Sequence, residues 1–271
     1  MNIYINCMDK YIISIVFIYL FFGLILFTFQ RKIIFNTSAK PKKPKYYGLS
    51  NTQEIYIPTK DGFYLLAWYS EPKNNNPTLI YFHGNSFDIG ERGHRIEKYI
   101  KNGWGVLLLA WRGYSGNKGK PTEFNLYIDA ESSLNWLEQN TSTIKNNIVL
   151  YGESLGTGVA LEMATRYVFK SVILEAPFTS IFDLALKRYK LFPFKFLVLD
   201  KFDNISKINK ISSPLMIISG KKDEVVPHSH SLKLFFKANH PKKSVFIDEA
   251  MHNNLYDFNI DKHVINFNSQ L

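Results

Sequence analysis

The sequence predicts an α/β fold: an eight-stranded, mostly parallel sheet with helices on both faces and a small cap insertion, preceded by one transmembrane helix. Three observations carry that expectation. Residues 11–29, YIISIVFIYLFFGLILFTF, contain no charge. After about residue 50, short apolar runs such as TLIYF, VLLLA, IVLY, SVILE and LMIIS alternate with longer amphipathic stretches, and continuous apolar runs are what strands covered on both faces require. Where the run IVLY meets a helical pattern stands Gly152-Glu153-Ser154-Leu155-Gly156, a G-x-S-x-G turn. With 271 residues, 46% of them hydrophobic, the chain can build one sizeable core but not two large domains.

The N-terminal run comes first. Nineteen uncharged residues at about 1.5 Å each just cross a hydrocarbon core of roughly 30 Å. The run exceeds the apolar stretch of a cleaved signal peptide and lacks the polar face of a soluble helix; cleavage near Thr37-Ser38-Ala39 is the alternative. Lys10 is the one basic side chain ahead of it, whereas Arg31, Lys32, Lys40, Lys42, Lys43 and Lys45 follow. That asymmetry places the following domain in the cytoplasm, and the basic cluster suits anionic headgroups of the lipid bilayer. Residues 1–10 therefore read as a tail, 11–29 as the anchor, 30–50 as a basic linker kept non-helical by Pro41 and Pro44, and 51–271 as one globular domain.

The net charge of +10, from 33 Lys and Arg against 23 Asp and Glu, is scattered as isolated lysines and short pairs. No nucleic-acid-binding motif accompanies it, so nucleic acid is not an expected partner. A single cysteine, Cys7, excludes an intramolecular disulfide and a Cys-based metal site.

Candidate strands cover 54–58, 63–70, 78–82, 105–110, 147–151, 171–175, 214–219 and 243–248, with Asp61-Gly62 turning the first two into a hairpin. Helices are expected over 90–102, 123–140, 155–167, 229–237 and at the carboxyl end. Residues 177–213 exceed a simple crossover and carry Phe178, Phe182, Tyr189, Phe192, Phe194, Phe196 and Phe202. They are expected to form a small cap, most of the aromatics burying a crossover helix against the sheet.

The chemistry centres on Ser154. NIVLY precedes the G-x-S-x-G turn as a buried strand, and Leu155, Val159 and Met163 follow at helical spacing, so the serine projects from a sharp strand-to-helix turn permitted by Gly152 and Gly156. The positive end of the helix then faces the serine. A serine hydroxyl needs a base, and His252 lies four residues beyond VFID, after the last strand. The other histidines lie before Ser154, beside the helix at 229–237, or deep in the terminal region; His83 reads as a loop-shaping residue. Asp223, directly after LMIISG, is the carboxylate expected to orient His252, ahead of Glu175, with Glu224 and Asp248 also nearby. An oxyanion needs two backbone donors: the Leu155 amide and one from His83-Gly84-Asn85-Ser86, where Asn85 is the first choice and Ser86 the alternative. Such chemistry requires no metal or organic cofactor.

These residues resemble the α/β-hydrolase superfamily, in its single-span subgroup that includes human protein depalmitoylases and bacterial serine aminopeptidase-like hydrolases. The likeness runs from about residue 50 to 258 through YFHGN at 81–85, RGYSGNKGKPTE at 112–123, YGESLGTG at 151–158, SPLMIISGKKDEVVP at 213–227 and HNNLYDF at 252–258. It implies the α/β-hydrolase fold and carries nucleophile, acid and base onto Ser154, Asp223 and His252. Two departures concern a loop near the pocket: Ala110 stands where an Asp is frequent, and Ser115 where a glycine is. The expected reaction is hydrolysis of an ester or thioester, fatty-acyl given the anchor, on a small molecule or an acylated protein. The alternatives are a serine peptidase for short peptides, with Glu175 and Asp183 as candidates to hold an amino terminus, and a catalytically silent membrane scaffold.

Overall fold

The computed structural model describes residues 7–191 and 197–271; the first six residues of the expected tail, and Phe192, Phe194 and Phe196 of the expected cap, lie outside the described residues. Eight strands form one sheet: β1 Gln53–Pro58, β2 Tyr64–Ser70, β3 Thr78–Phe82, β4 Gly105–Leu109, β5 Ile148–Glu153, β6 Ser171–Glu175, β7 Leu215–Gly220 and β8 Lys242–Ile247. Their order is β1-β2-β4-β3-β5-β6-β7-β8. β2 runs antiparallel to both β1 and β4, and the remaining pairs are parallel. The hairpin expected at Asp61-Gly62 joins β1 to β2, with Gly62 in the left-handed region at φ +87°.

The apolar runs split between two cores because successive strand residues point to opposite faces. In β3, Ile80 and Phe82 enter one core while Leu79 and Tyr81 enter the other; in β5, Ile148 and Leu150 oppose Val149 and Tyr151. Helices α3 (Glu123–Asn140) and α4 (Leu155–Arg166) cover the first face through Leu126, Leu134, Val159 and Met163. Helices α2 (Gly93–Lys101) and α7 (Ile260–Asn268) cover the second through Ile96, Tyr99, Val264 and Phe267. Thr122 caps α3, its hydroxyl accepting the Asn125 amide at 3.1 Å.

The turn after β4 is pinned by a buried ion cluster. Arg112 bonds Asp129 of α3 through Nε at 2.8 Å and Asp61 of the hairpin through Nη1 at 2.6 Å. The Arg112 hydrogen bonds hold the Asp61 carboxyl down at about 2. Ser115, in place of the family's glycine, sits at φ +53°; its amide donates to Ser38 Oγ at 3.0 Å and its hydroxyl accepts the Ile89 amide at 3.1 Å. Two hydrogen bonds thus hold a non-glycine residue in a conformation it otherwise avoids.

Helix α1 spans Cys7–Ile34, longer at both ends than the apolar run, and residues 9–34 are long and apolar enough to cross a membrane. The segment expected as a linker is instead strapped to the domain. Phe35 is buried and meets the Phe202 ring edge-on at 6.4 Å. The Asn36 amide donates to the Asn85 carbonyl at 3.2 Å, and Tyr47 lies against Trp68 at 5.4 Å. The basic residues suggested a linker, but Phe35, Pro41, Pro44 and Leu49 among and just after them are buried and hold the segment down.

The cap expected over 177–213 contains helix α5 (Ile181–Arg188), capped by Ser180, whose hydroxyl accepts the Asp183 amide at 3.0 Å. Phe178 and Phe202 are fully buried in the core, as expected for aromatics that seat a crossover. The last helix before β8 is α6 (His228–Lys237).

Replacing Arg112 by Met leaves the Asp129 carboxylate buried without its partner, and is expected to cost about 3–5 kcal/mol in urea unfolding of the detergent-solubilised chain. A loss below about 1 kcal/mol would show that the cluster does not hold the turn.

Candidate active site

β5 ends at Glu153 and α4 begins at Leu155, so one residue makes the whole turn. Ser154 makes it at φ +48°, ψ −111°, a conformation that costs a non-glycine residue about 1–3 kcal/mol. The surroundings enforce it: the Ser154 amide donates to the Glu175 carbonyl at 2.8 Å, and the Ser154 carbonyl accepts from the Thr157 amide at 2.9 Å and its hydroxyl at 2.6 Å. Gly152 and Gly156 are required by close approach. A Cβ on Gly156 would stand 1.9 Å from the Phe82 carbonyl oxygen, and one on Gly152 2.6 Å from the Gly156 carbonyl oxygen.

β7 and β8 deliver the other two expected residues. Asp223 follows β7 with a fully buried carboxylate, whose Oδ1 accepts the Val225 and Val226 amides at 2.9 and 2.7 Å. Its Oδ2 lies 2.7 Å from His252 Nδ1, and His252 Nε2 lies 3.2 Å from Ser154 Oγ. Gly220 permits this meeting, because a Cβ there would lie 2.1 Å from the Ala250 carbonyl oxygen. The other acids considered from sequence are placed elsewhere. Glu175 is fully buried and bonds Arg95 at 3.2 Å and Tyr151 at 2.6 Å, Asp248 pairs with Lys221 at 2.7 Å, and Glu224 lines the rim.

The loop after β3 sits across from Ser154. His83 is buried, and its ring bridges the loop: Nε2 accepts the Trp111 amide at 3.4 Å, so the proton resides on Nδ1, which donates to the Gly84 carbonyl at 2.7 Å. Burial, with Arg92 nearby, pushes its pKa down to about 3, so the ring stays neutral and shapes the loop. The Asn85 carbonyl accepts the Tyr114 hydroxyl at 3.1 Å, and the Asn85 side chain donates to the Ile34 carbonyl at 3.2 Å. The Asn85 and Leu155 amides, both bordering the cavity at Ser154, have no hydrogen-bond acceptor among the described residues. The alternative, Ser86, donates its hydroxyl to Asn85 Oδ1 at 2.9 Å, which fixes the loop further.

A second layer was missed in the sequence. Glu153 bonds Arg92 at 2.8 and 3.0 Å and the Tyr81 hydroxyl at 2.9 Å, and Arg92 also donates to the Ser86 carbonyl at 2.7 Å. Arg95 lies between Glu153 at 3.5 Å and Glu175 at 3.2 Å. Burial alone would raise the Glu153 carboxyl, but the guanidinium charges of Arg92 and Arg95 outweigh it and hold it well below the usual range. For Glu175 burial wins, and its pKa is raised. The network ties the turn at Ser154 to the loop at Asn85. A sequence signal existed: Arg92 and Arg95 stand three residues apart, a spacing that puts them on one side of a helical stretch, and an acid lies inside the G-x-S-x-G turn.

The cavity over Ser154 has a volume of about 730 Å³. Its floor is Gly84, Asn85, Ser154, Leu155 and His252; its wall is Ile33 and Ile34 of α1 with Ile181, Leu184 and Ala185 of α5. Lys187, Arg188 and Glu224 stand at its edge.

Residues 120–254 match the family described as the prolyl oligopeptidase family. An uncharacterised protein of Mycobacterium tuberculosis is 31% identical over 235 residues, covering 85% of this chain and 84% of that one. The α/β-hydrolase domain-containing protein 17B of Homo sapiens is 36% identical over 189 residues, 67% of this chain and 62% of the human one. The chain belongs to the α/β-hydrolase superfamily. Solved structures agree on the fold: an esterase of Pyrococcus furiosus superposes with a TM-score of 0.71 at 20% identity over 86% of this chain and 95% of that one. An acetyl xylan esterase from a Paenibacillus species gives 0.63 at 17% identity over 82% and 85%. In this hydrolase the strand order and the position of the turn at Ser154 follow the superfamily's arrangement.

The neutral His83 gives a pH test. Its folded pKa of about 3 lies below the ordinary 6.5, so the unfolded chain binds the extra proton between those values. Stability is therefore complete above about 6.5 and declines as pH falls toward 3. His83→Gln, which takes up no proton, is expected to show a shallower fall in unfolding free energy between pH 6.5 and 4 than the parent. Identical slopes would mean that His83 titrates normally in the folded chain.

Proposed function

We propose that this chain is a membrane-anchored serine hydrolase that cleaves a fatty-acyl ester or thioester through an acyl-Ser154 intermediate, with His252 as general base and Asp223 as its orienting acid. The observation that carries the reading is the continuous hydrogen-bonded path Ser154–His252–Asp223 at the floor of a cavity bordered by two unused amides.

Ser154 Oγ attacks the acyl carbon while His252 Nε2 takes its proton; the imidazolium is stabilised by its hydrogen bond to Asp223. The carbonyl oxygen becomes an oxyanion facing the Leu155 and Asn85 amides, beside the positive end of α4. Collapse breaks the bond to the leaving alkoxide or thiolate, which takes the proton from His252. Water then attacks the acyl-serine, its proton passing to His252 and on to Ser154 Oγ, releasing the carboxylic acid. Arg92 and Glu153 act as positioning residues that lock the Ser154 turn and the Asn85 loop in one register.

The cavity and the helix support the proposed substrate class. The wall formed by α1 and α5 is aliphatic, and esterase is what the descriptions of the Pyrococcus and Paenibacillus neighbours name. Retention of α1 is favoured over cleavage because its end is built into the domain. Arg31 bonds Asp200 at 2.8 Å, Phe35 is buried, and the carbonyl of Ile34 holds Asn85. The charge asymmetry around α1 favours a cytoplasmic domain.

A peptidase reading draws on the family name matched over residues 120–254. Glu175 and Asp183, the acids considered for a peptide amino terminus, do not line the cavity, and Lys187 and Arg188 at its edge would repel an ammonium. A silent scaffold would leave Ser154 unreactive.

A fluorophosphonate probe is expected to label the full chain in detergent and the Ser86→Ala variant, but not Ser154→Ala. Turnover of p-nitrophenyl esters is expected to rise from acetate to palmitate, to vanish in Ser154→Ala and His252→Ala, and to fall about 10⁴-fold in Asp223→Asn. Labelling that persists in Ser154→Ala would sink the assignment. Absence of ester turnover with intact labelling would move the substrate to peptides.

A further inference from the structure

Only part of α1 is free to face lipid. Most of its described side chains are exposed, but Tyr19, Gly23, Leu26, Gln30 and Ile34 are partly buried, and their spacing of four, three, four and four places them on one helix face. Opposite that face stand Ile181 and Ala185 of α5, Tyr189 just past its end, and Leu197 and Val198. Between them runs a groove of about 120 Å³ from Gly23 to Ile34. Two polar side chains along it are already paired. The Tyr19 hydroxyl donates to the Leu191 carbonyl at 2.6 Å, Gln30 Nε2 donates to the Leu197 carbonyl at 3.1 Å, and Gln30 Oε1 accepts the Leu199 amide at 2.9 Å. The rest of the lining is aliphatic and aromatic, with the phenol of Tyr189 its remaining polar side chain.

The groove continues into the site. Ile33, Ile34, Ile181, Ala185 and Tyr189 line both it and the cavity over Ser154. Where the two meet, the carbonyl of Ile34 accepts from the side chain of Asn85. Gly23 to Ile34 is about 16 Å of helix, roughly half of a 30 Å hydrocarbon core and so the depth that the acyl chains of one leaflet fill. Gly23, lacking a side chain, leaves the far end of the groove open at that depth.

We propose that α1 is a wall of the substrate site: the alkyl chain of a membrane-resident ester or thioester lies between α1 and α5, reaches the bilayer past Gly23, and presents its carbonyl to Ser154. The proposal rests on the reading of Ser154 as nucleophile. It makes the anchor a determinant of acyl-length preference, and it accounts for a membrane helix that is strapped to the cap instead of being tethered loosely. The substrate then need not leave the lipid to be cleaved, which avoids exposing its apolar chain to water. Lys187 and Arg188 at the cavity edge face the level where headgroup anions would lie.

The test uses the full chain in phosphatidylcholine nanodiscs, with p-nitrophenyl acetate and palmitate as substrates. Gly23→Trp fills the far end of the groove and is expected to lower the palmitate-to-acetate ratio of kcat/KM by about tenfold or more. Phe21→Trp, on the opposite face of α1 and 51% exposed, is expected to leave that ratio within about twofold. A second arm does not depend on catalysis: a diazirine-bearing palmitate is photolysed with Ser154→Ala and the adducts are mapped by mass spectrometry. Adducts on residues 181–189, lost in the Gly23→Trp background, are expected. An unchanged ratio in Gly23→Trp, or adducts confined to the lipid-facing side of α1, would overturn the groove. Should the parent show neither ester turnover nor fluorophosphonate labelling, the nucleophile assignment fails instead, and the photolabelling arm alone decides whether the groove holds an acyl chain.

Discussion

The contact on which this molecule depends is the approach of Gly156 to the Phe82 carbonyl oxygen. With no side chain at 156, the first turn of α4 lies directly against the end of β3, and a single methyl group there would stand 1.9 Å from that oxygen. Two consequences follow. The chain must pass from β5 to α4 through one residue, which forces Ser154 into its strained backbone and lifts its hydroxyl clear of the sheet. The loop that follows β3 is brought beside the start of α4, so the Asn85 and Leu155 amides border the same space. Hydrogen bonds from the Ser154 backbone to Glu175 and Thr157 hold that strained conformation.

Around that turn the protein places charge where it is costly and then satisfies it. Glu153, Glu175, Arg92 and Arg95 are all buried, and each carboxylate has both a guanidinium and a tyrosine hydroxyl as partners. Such clusters contribute little net stability compared with an apolar core, yet removing one member leaves an uncompensated charge. Their effect here is geometric. Arg92 spans the Ser154 turn and the Ser86 carbonyl, so Ser154 and the loop at Asn85 are held by one planar group with several fixed donors.

Much of this was legible in the sequence, for identifiable reasons. TLIYF, SVILE and the G-x-S-x-G turn fall on β3, β6 and the β5–α4 junction because buried parallel strands need unbroken apolar runs and the turn needs glycines at two close contacts. The approach of His252 and Asp223 to Ser154 was anticipated from chain order, and His83 from its place in the loop. The ion network was not, because its ion pairs join residues 58 to 80 positions apart and charged side chains read by default as solvated. Nor was the strap over residues 35–49, since charge and proline drew the reading away from Phe35 and Leu49. The packed face of α1 was invisible for a further reason: it is marked only by a helical spacing of Tyr19, Gly23, Leu26, Gln30 and Ile34 within a run that is apolar all round.

The central claim is that Ser154 becomes acylated, and the direct measurement is capture of that species. The full chain, mixed with excess p-nitrophenyl palmitate and quenched in acid within the first turnover, is digested and mapped by mass spectrometry. The account predicts a palmitoyl adduct on the peptide carrying Ser154, formed with a burst of one p-nitrophenolate per active chain and cleared by subsequent hydrolysis. Turnover with no acyl-enzyme, or with the adduct on another residue, would contradict it.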